Sequence, residues 1–112
     1  MLLNSRKSSK NIATMQKLTQ AELEIMQALW KLEKAYLRDI QKLSGDRAPT
    51  TVSTILRILV GKGFVSSNTY GAANEYFPLI GRDEYMGFYL NDFVEQYFNG
   101  SISRLISFFK NR

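Results

Sequence analysis

The chain has 112 residues, 45% of them hydrophobic and 22% charged, with a formal net charge of +5 and neither Cys nor His. A chain of that length supports one core, or one small domain with an accessory segment. Without Cys and His there are no disulfides, no thiol chemistry, no Cys/His zinc site and no imidazole catalysis. The expectation is therefore a protein without metal or cofactor, and not an enzyme. No stretch approaches the roughly 18–20 apolar residues of a membrane span.

The charge is unevenly placed. Residues 1–17 carry Arg6, Lys7, Lys10 and Lys17 and no acid, in a Ser/Asn-rich context. Residues 18–80 carry seven basic and six acidic side chains, and residues 81–112 carry four of each. The first 17 residues are expected to form a basic, flexible leader able to follow a phosphate backbone. They lack the apolar run and small-residue cleavage site of a secretory signal, so a cytoplasmic location is expected.

Thr19-Gln20-Ala21-Glu22 has the form of a capping box, and Ile25, Met26, Leu29 and Trp30 follow at helical spacing, predicting a helix to about Leu32. Glu33-Lys34 marks a turn. Leu37, Ile40 and Leu43 predict a second helix from about Ala35 to Leu43, ended at Ser44-Gly45-Asp46. A third helix starts at Pro49 or Thr50. Val52, Ile55, Leu56, Leu59 and Val60 give it a core stripe, opposite Thr50, Thr54 and Arg57.

The period then changes. Phe64–Thr69 and Glu75–Leu79 are rich in strand formers, and Tyr70-Gly71-Ala72-Ala73-Asn74 between them reads as a hairpin loop. Pro78 points to an edge position for the second strand. Three helices and a hairpin within this span have the order of a winged helix-turn-helix. The expected fold is thus mainly α with a small β-hairpin, over residues 18–80, followed by C-terminal helices.

Residues 81–112 predict two further helices broken at Asn99-Gly100-Ser101. Eight of the fourteen aromatic residues lie between Tyr85 and Phe109. Tyr85, Tyr89, Phe93 and Tyr97 recur every four positions, with Met86, Leu90, Val94 and Phe98 as a second row. Ile102, Leu105, Ile106 and Phe109 supply a third apolar face. One row can pack within the chain; the other needs a second copy, which predicts a two-fold dimer through this segment. Asp83, Glu84, Asp92 and Glu95 lack a metal-ligand spacing and read as solvated faces.

Three stretches carry a family likeness: LTQAELEIMQALWKLEKAYLRDI, TTVSTILRILVGKGFV and YFPLIGRDEY. Together they closely resemble the penicillinase-repressor group of bacterial transcription regulators, over about residues 17–110. The resemblance implies a winged-helix DNA-binding domain, C-terminal dimerisation helices and repression at pseudo-palindromic operators, with the helix over 49–62 entering the major groove. It also implies a sensor protease as a possible partner. However, relatives of the penicillinase type are cut at an Asn-Phe bond, and here the matching place reads Phe108-Phe109. Relatives often carry a final helix beyond the position of Arg112, and its lack here predicts a weaker dimer. The copper-responsive branch uses C-terminal cysteines, which this sequence does not have.

On this reading Thr50, Thr51, Ser53, Thr54 and Arg57 are candidates for base and phosphate contact, because short hydroxyl side chains allow close approach and Arg pairs with guanine. Arg47 and Lys62, at the two ends of the third helix, are candidate phosphate contacts. The hairpin loop has no basic residue, which leaves Tyr70 as its candidate contact. The expected function is a homodimeric DNA-binding repressor. The competing expectation, favoured by the near-neutral charge of residues 18–80, is a winged-helix module that binds another protein.

Overall fold

A computed structural model describes residues 15–112. Most of the basic leader, residues 1–14, lies outside them, although Met15 is already buried. The chain divides into two compact units with the boundary between Arg82 and Asp83.

The first unit is built from α1 (Gln20–Leu32), β1 (Ala35–Tyr36), α2 (Leu37–Leu43), α3 (Pro49–Gly61), β2 (Val65–Tyr70) and β3 (Ala73–Pro78). The capping box forms as the sequence predicts: the Glu22 amide donates to Thr19 Oγ1 at 3.1 Å, and the Thr19 amide donates to Glu22 Oε1 at 2.9 Å. Ile25, Met26 and Leu29 of α1 meet Ile40 of α2 and Val52, Leu56 and Leu59 of α3 in a core from which water is excluded altogether. Phe64 and Val65 close it from the start of the sheet. Each such side chain contributes about 1.5–3 kcal/mol on burial. Trp30 is only half-buried, and its indole N–H donates to the Ile80 carbonyl at 2.9 Å, tying α1 to the segment after β3.

Four details differ from the sequence reading. Ala35 and Tyr36 form a short strand, not the first turn of α2. The hairpin turn is only Gly71-Ala72, since Tyr70 already pairs with Ala73; Gly71 at φ +61° supplies the left-handed residue such a tight turn requires. The sheet order is β1-β3-β2, so β3 is the central strand and Pro78 is not on an edge strand. Proline is tolerated there because β1 pairs only with Glu75 and Tyr76, and Pro78 lies past that pairing, opposite Val65. Finally, Val60 is 44% and Leu43 47% exposed, so neither belongs to the core. Val60 sits beyond the edge of the Val52-Ile55-Leu56-Leu59 stripe, about 100° around from Leu59.

The second unit contains α4 (Arg82–Phe98, whose first residue belongs to the first unit) and α5 (Ile102–Lys110). The break falls where expected, with Asn99 at φ +51° and Gly100 at φ +78°. The Ser101 hydroxyl accepts the Arg104 amide to cap α5. Phe98 and Phe108 stack edge-on at 5.8 Å and join the two helices. No helix of the described residues is long and apolar enough to cross a membrane.

Candidate nucleic-acid interface

α3 sets the geometry of the site. Its apolar residues at i, i+3, i+4 and i+7 confine burial to Val52, Ile55, Leu56 and Leu59. The rest of its circumference is therefore open: Thr50, Thr51, Ser53, Thr54 and Arg57 are all exposed. The Thr54 hydroxyl donates to the Thr50 carbonyl at 3.0 Å, and Arg57 Nη2 donates to Thr54 Oγ1 at 3.4 Å. That long bond is the one hydrogen bond of the Arg57 guanidinium among the described residues, and no carboxylate pairs with it. A planar cation with most of its donors unused, on a face of short hydroxyl side chains, fits bidentate recognition of a base edge or phosphate. Ile58, 44% exposed, flanks this face and escaped the sequence reading, because an apolar residue outside the stripe has no periodic signal.

The two cations at the ends of α3 each have a carboxylate partner within the chain. Arg47 Nη1 donates to the Ser44 carbonyl at 2.7 Å and to Glu24 Oε1 at 2.6 Å. Hydrogen bonds from Gln20 and from Arg47 hold the Glu24 carboxyl below its ordinary pKa. Lys62 Nζ lies 2.9 and 3.0 Å from the two oxygens of Glu22, whose side chain is only 7% exposed. Burial alone would raise the Glu22 pKa, but the Lys62 ammonium and the Thr19 amide and hydroxyl outweigh it and hold the carboxyl below its ordinary value. The pair joins the N-terminus of α1 to the C-terminus of α3, each charge being at the favourable end of its helix. Both cations thus brace the fold beside α3, a role invisible from α3 alone.

In the hairpin, Tyr70 is 56% exposed at the last pair before the turn, and the Thr69 hydroxyl donates to Asn74 Oδ1 at 2.8 Å across the strands. The structure thus places Thr50, Thr51, Ser53, Thr54 and Arg57 on one helix and Tyr70 at the hairpin tip. Among the described residues no group of three or more carboxylates could hold a metal ion.

In the second unit the candidate dimerisation residues divide sharply. Tyr85 and Val94 are buried, and Phe93 and Leu105 are half-buried. Met86, Tyr89, Leu90, Tyr97, Ile102, Ile106 and Phe109 are exposed by 42–70%. Burial follows neither four-residue row, because Tyr85 and Val94 are nine positions apart and lie on opposite sides of α4.

Comparison with known proteins agrees with this geometry. The Penicillinase repressor family model matches residues 18–112. The penicillinase repressor of Bacillus licheniformis is 26% identical over 98 residues, which cover 84% of this chain and 77% of that protein. The solved DNA-binding domain of the repressor BlaI is 27% identical with a TM-score of 0.54, over 63% of this chain and 94% of that one. The monomeric form of Bacillus licheniformis BlaI, solved in complex with the blaP half-operator, is 26% identical with a TM-score of 0.53, over 62% of this chain and 89% of that one. The chain belongs to the penicillinase repressor family, whose members are transcriptional repressors and not enzymes.

Proposed function

We propose that this protein is a sequence-specific DNA-binding repressor that acts as a homodimer on a pseudo-palindromic operator. The observation that carries the reading is the outward face of α3, where Thr50, Thr51, Ser53 and Thr54 are exposed together with an Arg57 that has no acidic partner among the described residues. The related BlaI repressor is known bound to a half-operator, which supports placing this face in the major groove. Tyr70 at the hairpin tip is the proposed contact beside it. Repression is by occlusion: two copies of α3 in successive major grooves, about 34–36 Å apart, exclude polymerase. Met86, Tyr89, Leu90, Tyr97, Ile102, Ile106 and Phe109 are the proposed dimer surface, with Tyr85, Phe93, Val94 and Leu105 packed beneath and beside them.

The test is a mobility-shift titration with the duplex upstream of the protein's own gene and a random duplex of equal length. The upstream duplex is expected to bind more tightly. Arg57→Ala is expected to weaken that preference by about 1–3 kcal/mol, the worth of one bidentate base contact. Arg57→Ala binding as tightly as the parent at equal salt removes the assignment. A parent chain that retards neither duplex would favour a protein-binding module instead.

A further inference from the structure

A second feature of the first unit stands beside the reading face. The N-terminal turn of α2, the first residue of α3 and the end of the hairpin enclose an open cleft of about 790 Å³, lined by Tyr36, Arg38, Asp39, Pro49, Ala72 and Asn74 among others. Pro49, the first residue of α3, is part of its wall, and α2, which packs on α3, supplies Leu37, Arg38, Asp39 and Gln41. A duplex with α3 in its groove has to carry a sugar–phosphate strand past one side of that helix, and the cleft is the concave surface available there.

The chemistry of the wall fits a polyanion. Arg38 is exposed and, unlike Arg47 and Lys62, has no ion pair or hydrogen bond among the described residues. Tyr36 is 39% exposed and brings a phenol. Asn74 accepts the Thr69 hydroxyl through its carbonyl oxygen, so its amide nitrogen is the group left to donate. The hairpin side is otherwise Ala72 and Ala73, too small to obstruct a backbone, and the half-buried Tyr76. One acid lines the cleft, Asp39, and its Oδ2 accepts the Tyr36 amide at 3.3 Å as part of the α2 cap.

We propose that this cleft seats the phosphodiester backbone of one DNA strand, with Arg38 as its charge contact and Tyr36 and Asn74 as neutral donors. The inference rests on the DNA-binding reading and adds contacts that the sequence pattern did not suggest. Phosphate contacts position a protein without reading sequence, whereas base contacts discriminate. The seat therefore has a signature that Arg57 does not share.

The experiment compares the parent, Arg38→Gln and Arg38→Lys on the upstream and random duplexes between about 50 and 200 mM salt. Arg38→Gln is expected to lower the slope of log K against log salt by about 0.9, the yield of one phosphate contact. It should weaken both duplexes by the same factor, leaving their ratio and the thermal melt unchanged. Arg38→Lys keeps a point charge and is expected to restore the slope. An unchanged slope in Arg38→Gln, a loss confined to the upstream duplex, or no rescue by lysine overturns the seat while DNA binding stands. A parent that binds neither duplex overturns the DNA-binding reading, and the seat with it.

Discussion

The two units use apolar residues in opposite ways. Residues 15–82 surround Ile25, Met26, Leu29, Ile40, Val52, Leu56, Leu59 and Phe64 from every side, so that none has accessible surface. Residues 83–112 are richer in aromatics, yet Tyr97, Ile102 and Phe109 remain 60–70% exposed. The difference lies in the number of layers. Three helices and a sheet offer each apolar stripe a facing partner, whereas two helices share one seam and leave their outer faces open. Apolar content alone does not make a core. The first unit closes on itself; the second has surface to give to a partner.

The largest expected effect comes from charging that open surface. Ile102, Ile106 and Phe109 fall at i, i+4 and i+7 of α5 and share one exposed face. Ile106→Glu leaves the Phe98–Phe108 contact in place and puts a carboxylate where a second copy would pack. Sedimentation at tens of micromolar is expected to show a dimeric parent and a monomeric variant. With the second reading head lost, operator affinity should fall by about 10²–10⁴-fold, the gain that linkage supplies. The comparison breaks if the parent is monomeric at that concentration with operator binding intact.

The same contrast explains what could be read from the sequence. α1 was legible through its capping box, α3 through its stripe, and the α4–α5 break through Asn99-Gly100-Ser101. All are local patterns. β1 was not, because two residues have no period. Pro78 points to an edge strand by a sound rule, and only the short register of β1 against Tyr76 and Glu75 shows why a central strand tolerates it. The ion pairs of Arg47 and Lys62 have no local pattern, because their carboxylate partners lie far off in the sequence, Glu22 being forty positions from Lys62. Arg38 stood out in no pattern; its cleft exists only where α2, α3 and the hairpin converge. For α4 the four-residue rows overstate the order, since residues four apart drift about 40° around a helix at each step.

The Glu22–Lys62 pair sharpens the comparison, because it belongs to the unit that closes on itself. Removing one member of a buried pair costs about 3–5 kcal/mol. Lys62 keeps 26% of its side chain in solvent, so the expected loss for Glu22→Gln is smaller, about 1–3 kcal/mol. The folded Glu22 pKa lies below the ordinary 4.5. Its contribution is therefore complete above the unfolded value and is lost as pH falls through the folded one. Urea midpoints of the parent should decline on that acid limb, and those of Glu22→Gln should decline less. Parallel limbs would mean that the pair contributes nothing to stability.

The smallest expected effect sets one position of each unit side by side. Two non-glycine residues among the described ones have positive φ: Glu33 at +71°, ending α1, and Asn99 at +51°, ending α4. Asparagine tolerates the left-handed region because its short amide can bond locally, whereas a glutamate there bears the strain of its Cβ. Glu33 also has ψ −43°, away from the left-handed well, and its side chain is exposed, so glycine removes strain without removing packing. Such strain is worth about 1–3 kcal/mol, and the greater freedom of glycine in the unfolded chain offsets about 0.4–1 kcal/mol of it. Glu33→Gly is expected to raise the urea midpoint of the first unit by the equivalent of about 1 kcal/mol. Asn99→Gly, with little strain to relieve, should leave stability level or slightly lower. If Glu33→Gly destabilises the protein, the unusual φ is held by a contact of the glutamate side chain, and the end of α1 is a bonded corner with no strain in it.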